Sequence, residues 1–305
     1  MREIFINSLL SKAKLDQNII LVTGDLGFGV LDKFAEQLPE QFINAGVAEQ
    51  NMTGLSAGLA LEGYNVFTYS IANFPTLRCL EQIRNDIIYH NLSVNIVAVG
   101  GGLSYGALGV SHHAIEDISI MRTFPDIQVF APCDKVETLG ILNHMLKNPK
   151  PSYLRLDKFK KNIVCDEPFV YGDLRKIRNG NKVAIIGYGS ILEEALIAND
   201  NLLNESNINC SIYSAHTLKP INKESIVNIA KKYEVILALE EHMDTGGLGS
   251  LISEILIENK IIPKNFFKLN LSNKYSNITG SRDFLRSHHQ IDAKSIISCI
   301  KSIYK

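Results

Sequence analysis

Four stretches of this sequence combine glycines with acid, amide or imidazole side chains: GDLGFG at 24–29, NAGVAEQN at 44–51, GGGLSYGALGVSHHAIED at 100–117 and EEHMDTGGLG at 240–249. Glu49 opens an amphipathic stretch, so its carboxylate either sits favourably against a helix macrodipole or is aimed into a crevice as a proton donor or acceptor. His112 and His113, followed by Glu116 and Asp117, form a titratable cluster uncommon in a passive connection. General acid–base work or substrate contact, backbone-bonded loop histidines and a cation site all remain open for it. Arg2 and Arg155 carry planar guanidinium groups suited to forked recognition of phosphate or carboxylate, and both serve equally as surface charges. The first glycine loop reads G-x-x-G-x-G and not G-x-G-x-x-G, GYGSIL at 187–192 fails at Leu192, and no G-x-x-x-x-G-K-[ST] occurs. Simple dehydrogenase, kinase and GTPase chemistry lose their main support.

The elements that must position these loops alternate. A helical pattern over 2–14 precedes an apolar run at 19–23; strands are then predicted near 66–69, 94–99 and 153–156, with helices near 74–89 and 135–147. A charged, weakly periodic stretch from 158 to 180 reads as a linker. Beyond it a second alternating unit places strands at 183–186, 210–213 and 235–239 and helices near 192–203, 224–231 and 248–258, the last helix of substance. The expected fold is therefore α/β in two domains, 1–157 and 181–305, each a mainly parallel sheet with helices on both faces. In such folds ligands bind beyond the carboxyl ends of the strands, where the four loops fall.

At 305 residues the chain suits about two domains. Its 46% hydrophobic and 21% charged residues are those of a globular protein. Thirty-one basic residues against 32 acidic give a net charge of -1, so no global field draws it to nucleic acid or an anionic membrane. Cys79, Cys133, Cys165, Cys210 and Cys299 form no C-x-x-C and are odd in number, which speaks against a disulfide framework or structural zinc and for reduced cytosolic thiols. The amino terminus lacks a signal-peptide core, and nowhere do 18 apolar residues run together. No membrane span is expected, and a cytoplasmic location is.

GDLG at 24–27, INAGVAEQNMTGLSAGLAL at 43–61, LEQIRNDIIYHNL at 80–92, SHHAIEDISIMRTFP at 111–125, HTLKPI at 216–221 and EEHMDTGGLGS at 240–250 together resemble the transketolase family. The resemblance covers a pyrimidine-binding domain followed by the family's carboxyl-terminal domain. It implies a thiamine diphosphate enzyme moving a two-carbon ketol unit between a ketose phosphate and an aldose-type acceptor. Glu49 is similar to the glutamate that hydrogen-bonds the aminopyrimidine, Asp25 to an acid near the thiazolium, Leu26 to the apolar wedge that bends the cofactor and Phe74 to an aromatic wall. His112 resembles the histidine beside the reacting carbon, and Arg2 and Arg155 the pair that binds substrate phosphate. No G-D-G motif followed by asparagine is present, which implies a partner subunit that carries the diphosphate-binding domain, ligates most of the Mg2+ and joins this chain in an α2β2 assembly. Leu108, Gly100 and Gly29 stand where the family commonly has an aspartate, a histidine and, in some members, a serine. That departure points to a specialised sugar pathway. His113 and His242 carry no assigned role. The beta subunit of a 2-oxo acid dehydrogenase and a non-catalytic scaffold are the alternatives.

Overall fold

A computed structural model describes residues 1–158, 163, 165 and 167–304, so the predicted linker lies partly outside the described residues. The first domain runs α1 (Arg2–Ala13), β1 (Ile19–Thr23), α2 (Asp32–Gln37), β2 (Phe42–Asn44), α3 (Glu49–Leu61), β3 (Asn65–Ile71), α4 (Leu80–Gln82), β4 (Val94–Val99), α5 (Asp117–Thr123), β5 (Gln128–Phe130), α6 (Lys135–Lys147) and β6 (Ser152–Leu156). The second runs β7 (Arg175–Arg178), β8 (Val183–Gly187), α7 (Leu192–Ser206), β9 (Cys210–Ser214), β10 (Thr217–Lys219), α8 (Lys223–Lys232), β11 (Val235–Met243), α9 (Leu248–Glu258), β12 (Asn265–Leu271), α10 (Arg282–His288) and α11 (Ala293–Ile303).

Two sheets result, ordered β10-β5-β6-β4-β3-β1-β2 and β12-β11-β8-β9-β7. Their central strands are parallel and buried on both faces, which is why β1, β4, β6, β8 and β9 carry no polar-out alternation. On one face of the first sheet Phe5, Leu9, Phe34, Phe67, Phe130 and Leu142 pack together, joining α1 and α6 to the strands. The opposite face continues from Met52 and Ile87 into Tyr188, Ile226 and Leu248, so one apolar core crosses the domain junction.

The junction is also stitched by backbone. β10 leaves the second domain and pairs antiparallel with β5, and the Ala131 N–H donates to the His216 carbonyl at 2.9 Å. β7 falls inside the stretch read as linker and pairs antiparallel with β9. The helix expected over 74–89 is broken: Pro75 precedes short turns at Leu77–Cys79 and Leu80–Gln82, and a wide π turn follows at Ile83–Ile88. Helices also continue past 258, contrary to the sequence expectation. α11 buries Ile296 and Ile300 one turn apart, and its N-cap Asp292 accepts from the Ser295 N–H. Its interspersed serines and β-branched residues hide that pattern. No helix among the described residues is long and apolar enough to cross a membrane.

Candidate functional site

β2 ends at Asn44 and α3 begins at Glu49, so the intervening loop drops Glu49 into the first turn of a helix at the strand-end edge of the sheet. The Glu49 carboxylate is 5% exposed, and its Oε2 lies 3.1 Å from Nη1 of the half-exposed Arg78. Among the described residues Oε1 takes no hydrogen bond. That oxygen is not one of the fully buried unpaired atoms, so it is open to a donor from outside the chain. It borders a cavity of about 480 Å³ lined by Val47, Ala48, Glu49, Gln50, Asn51 and Arg78. The Arg78 guanidinium also lies over the Phe74 ring, 4.2 Å from its centroid, so one cation bridges the acid and the aromatic wall.

Asp25 stands at the mouth of the first glycine loop with φ +58°. Its N–H donates to Asn44 Oδ1 at 3.0 Å, and Asn44 Nδ2 donates back to Asp25 Oδ1 at 2.9 Å. That pair fixes an exposed carboxylate without neutralising it. Leu26 beside it is half-buried, and its carbonyl lies 3.1 Å from the Thr23 hydroxyl.

His112 comes from the long glycine loop after β4. The ring lies edge-on to Phe74, with 5.2 Å between centroids, and Nδ1 sits 2.9 Å from the Ser111 hydroxyl. Asn73 Nδ2 donates to the His113 carbonyl at 2.7 Å, which ties the Phe74 loop to the His112 loop. Burial first, then the neighbouring His113 and Arg78 charges, pushes the His112 imidazolium pKa below its ordinary value. Neutral imidazole, able to accept a proton, is the favoured form. Asp25, Leu26, Phe74 and His112 thus lie on strand-end loops, and Glu49 opens the helix that follows one.

Arg2 and Arg155 are not brought together as a free pair. The Arg155 guanidinium is 2% exposed; it lies 3.1 Å from Asp117 Oδ1 and donates to the Glu241 carbonyl at 3.0 Å. A buried, fully paired cation is committed to the domain junction. The cation beside Arg2 is instead Lys158: burial, then Arg2, then Arg282, holds its ammonium below the usual lysine range. Lys158 Nζ sits 4.9 Å from the Tyr105 ring centroid, and Tyr105 lies 6.1 Å from His112. Sequence reading missed Lys158, Tyr105, Arg78 and the buried Tyr69, because none stands in a motif and each acquires its place through a remote contact.

The glycine loop is held from behind by the second domain. Glu241 Oε2 accepts from the Leu103 N–H at 3.0 Å, and Asp157 Oδ1 accepts from the Ser104 hydroxyl at 2.6 Å. Arg282 bridges the two carboxylates at 2.6 and 3.0 Å, and Arg286 meets Glu241 at 2.5 Å. Burial, the largest single influence, works against both acids, yet Arg282 together with Arg155 and the Ser104 hydroxyl at Asp157, and with Arg286 and the Leu103 N–H at Glu241, holds both carboxyls below their ordinary range. Gly101 is required here: a Cβ would stand 1.9 Å from Arg155 Nε. His242 is a satisfied core residue, with Nε2 3.2 Å from the Ser119 N–H and Nδ1 2.8 Å from the Met243 carbonyl. Buried His113 places Nε2 3.2 Å from the Gly106 carbonyl.

The H-H-x-x-E-D stretch does not converge on a cation, since Asp117 is taken by Arg155 and by the Tyr153 hydroxyl at 2.6 Å. Among the described residues the one cluster with metal-ligand spacing is Cys133, Asp134 and Glu137. Arg175 pairs with both of its acids at 2.5 and 3.3 Å, so a guanidinium already supplies the positive charge.

Comparison with known proteins matches residues 1–161 to the family described as transketolase, pyrimidine binding domain, and residues 172–296 to transketolase, C-terminal domain. An apulose-4-phosphate transketolase subunit of Phocaeicola vulgatus is 36% identical over 264 residues, 85% of this chain and 84% of that one. The protein of the same description from Actinobacillus succinogenes is 32% identical over 306 residues, 99% of this chain and 98% of that one. A solved structure described as a split gene transketolase, inactive beta4 tetramer, superposes with a TM-score of 0.86 at 31% identity, covering 99% of this chain and 96% of the other.

Proposed function

The chain belongs to the transketolase family, and from that premise we propose that it is the carboxyl-terminal subunit of a split, thiamine diphosphate-dependent transketolase. It would act in the cytoplasm with a second chain that carries the diphosphate-binding domain and most of the Mg2+ ligands, as two copies of each. The observation that carries this reading is the unpartnered Oε1 of the nearly buried Glu49, opening on a cavity beside Phe74 and His112.

Those residues fit the cofactor. Glu49 would hold a proton between Oε1 and a ring nitrogen of the aminopyrimidine, Phe74 and Leu26 would bound its apolar faces, and Asp25 would stand at the thiazolium end. When bound, thiamine diphosphate supplies a carbanion that accepts and releases a two-carbon ketol unit. His112, kept neutral, would accept or return a proton at a substrate hydroxyl, and Phe74 fixes its ring edge-on. Arg78 Nη1, 3.1 Å from Glu49 Oε2, fixes the orientation of that carboxylate.

The substrates we assign are a ketose phosphate donor and an aldose-type acceptor of a specialised sugar pathway. Leu108, 55% exposed four residues before His112, offers no hydrogen bond to a substrate hydroxyl. The names of the two bacterial relatives, both apulose-4-phosphate transketolases, support such a pathway and not the dehydrogenase alternative. The test is ketol transfer by this chain co-expressed with its partner, against a panel of ketose donors and aldehyde acceptors. Transfer that favours a non-pentose or branched acceptor is expected; equal rates with common pentose phosphates would sink the specialised reading, and lipoamide-dependent acyl transfer would replace it.

A further inference from the structure

A second cavity, about 790 Å³, opens in the second domain between the segment that follows β12 and the turn that ends α10. Its volume suits a small ligand, and its wall is polar. Asn270, Asn273, Asn277 and Gln290 contribute carboxamides, and the Tyr275 ring stands 63% exposed among them. Asn270 and Asn273 are held by Asp244 and Thr245 at 3.0 Å each, whereas among the described residues the side chains of Asn277 and Gln290 make no hydrogen bond. A carboxamide offers donor and acceptor side by side, the pattern that vicinal hydroxyls match, and an exposed aromatic face covers the C–H side of a sugar.

The charges of this wall do not cancel. Lys268 lies 2.5 Å from Asp244 Oδ1 and is matched by it, but among the described residues Lys274 meets no carboxylate. His289 also lines the cavity, and its Nε2 is buried with no hydrogen-bond partner. Burial, then His288 and His113, pushes its imidazolium below the ordinary histidine value, which favours the neutral ring. With the histidines neutral, Lys274 leaves one positive charge in excess. A single carboxylate matches that charge, whereas a phosphate dianion leaves one of its own unmatched.

The segment that forms this wall also reaches the loop that carries His112. Tyr275 stands beside Glu116, whose hydrogen bond and charge raise the phenol pKa. The Gly280 N–H donates to the Gly106 carbonyl at 3.3 Å, and a Cβ on Gly106 would stand 2.7 Å from the Gly280 carbonyl oxygen. His113, next to His112, opposes the charge of His289, and its Nδ1 is likewise buried without a partner. We propose that this cavity is a regulatory binding site, apart from the Glu49 crevice, for a hydroxylated monocarboxylate of the sugar-acid class. The ligand's hydroxyls take the free amides of Asn277 and Gln290, and its carboxylate meets Lys274. Filling the cavity stiffens the 272–280 segment and, with it, the glycine loop that presents His112.

D-gluconate is the probe: it carries the hydroxyls and the single carboxylate but no aldehyde or ketone that could enter ketol transfer, so its binding is independent of the transketolase reading. Calorimetry on the full chain is expected to show gluconate bound at least about ten-fold more tightly than D-glucose, the worth of one charge-assisted hydrogen bond, with inorganic phosphate failing to displace it. Lys274→Met should abolish that preference, and Asn277→Leu should weaken both ligands about five-fold. Hydrogen exchange of the amides at 106–113 should slow when gluconate is bound. Absence of gluconate binding, displacement by phosphate, or affinities unchanged in both variants would overturn the site. Exchange at 106–113 that saturating gluconate leaves unaltered would overturn its regulatory role.

Discussion

In the proposed mechanism the chemistry turns on Glu49, and the environment of that residue lets function be separated from stability. Its ion pair with the half-exposed Arg78 is solvent-screened, so Glu49→Ala should change unfolding free energy by less than about 1 kcal/mol. Ketol transfer should fall by at least about 100-fold, because a general acid–base group is lost. Denaturation and steady-state rates on one preparation check both halves, and near-normal turnover would remove the assigned role. His112→Ala should lower kcat by about 100-fold or more while thiamine diphosphate affinity changes much less. In the native enzyme the acid limb of kcat/KM that belongs to His112 should lie below the ordinary histidine range, since burial, His113 and Arg78 disfavour the imidazolium. An acid limb at or above that range would contradict the neutral assignment. Glu49 and His112 were legible because their chemistry is local to a loop and the helix or turn next to it. Arg155 was not: a guanidinium at the end of a strand reads as an anion anchor until Asp117 and the Glu241 carbonyl, remote in sequence, are seen to enclose it.

Between elements, two charged joints hold the loops in place. Glu241 on β11 pairs with Arg282 and Arg286 and supports the Leu103 N–H, so Glu241→Gln removes one carboxylate partner from each of two largely buried cations and leaves Arg282 with Asp157 and Arg286 with Glu194. A loss of about 3–5 kcal/mol is expected in chemical denaturation, and a loss under about 1 kcal/mol would show the network to be dispensable. The other joint is β10. Burial, then Arg175, pushes the buried His216 beside it down to about 4 from an unperturbed 6.5. Between those values the unfolded chain takes up a proton that the folded chain refuses. The His216 contribution is therefore complete above about 6.5, falls as pH drops, and reaches a deficit of about 3 kcal/mol below about 4. Glu137 runs the opposite way, because burial and Asp134 push its carboxyl up to about 7 and its contribution is lost as pH rises towards that value. The clean observable is the difference in stability between wild type and His216→Gln from pH 7 to 4; a difference independent of pH would refute the assignment. Regular strands such as β1, β4 and β8 were readable from their apolar runs. β10 and α11 were not, because three residues carry no period and because serines interrupt the apolar repeat of α11.

At the scale of the whole molecule the two sheets share one core, so the second domain is the rear support of the glycine loop that presents His112 and Tyr105. The alternation of strands and helices made this α/β layout legible, and the family likeness of several loops together pointed to the candidate site. What a single sequence conceals is the junction itself, where Arg282, Glu241 and Asp157 meet from positions more than 40 residues apart in the chain. The most direct measurement on the whole is to tag this chain in its own cells, purify it gently, and determine by native mass and cofactor analysis what accompanies it. The account predicts a second chain at one-to-one stoichiometry that carries a G-D-G motif, with thiamine diphosphate and magnesium held between them. A chain that emerges without a partner, and binds no thiamine diphosphate when cofactor and magnesium are added together with the candidate second subunit, would contradict it.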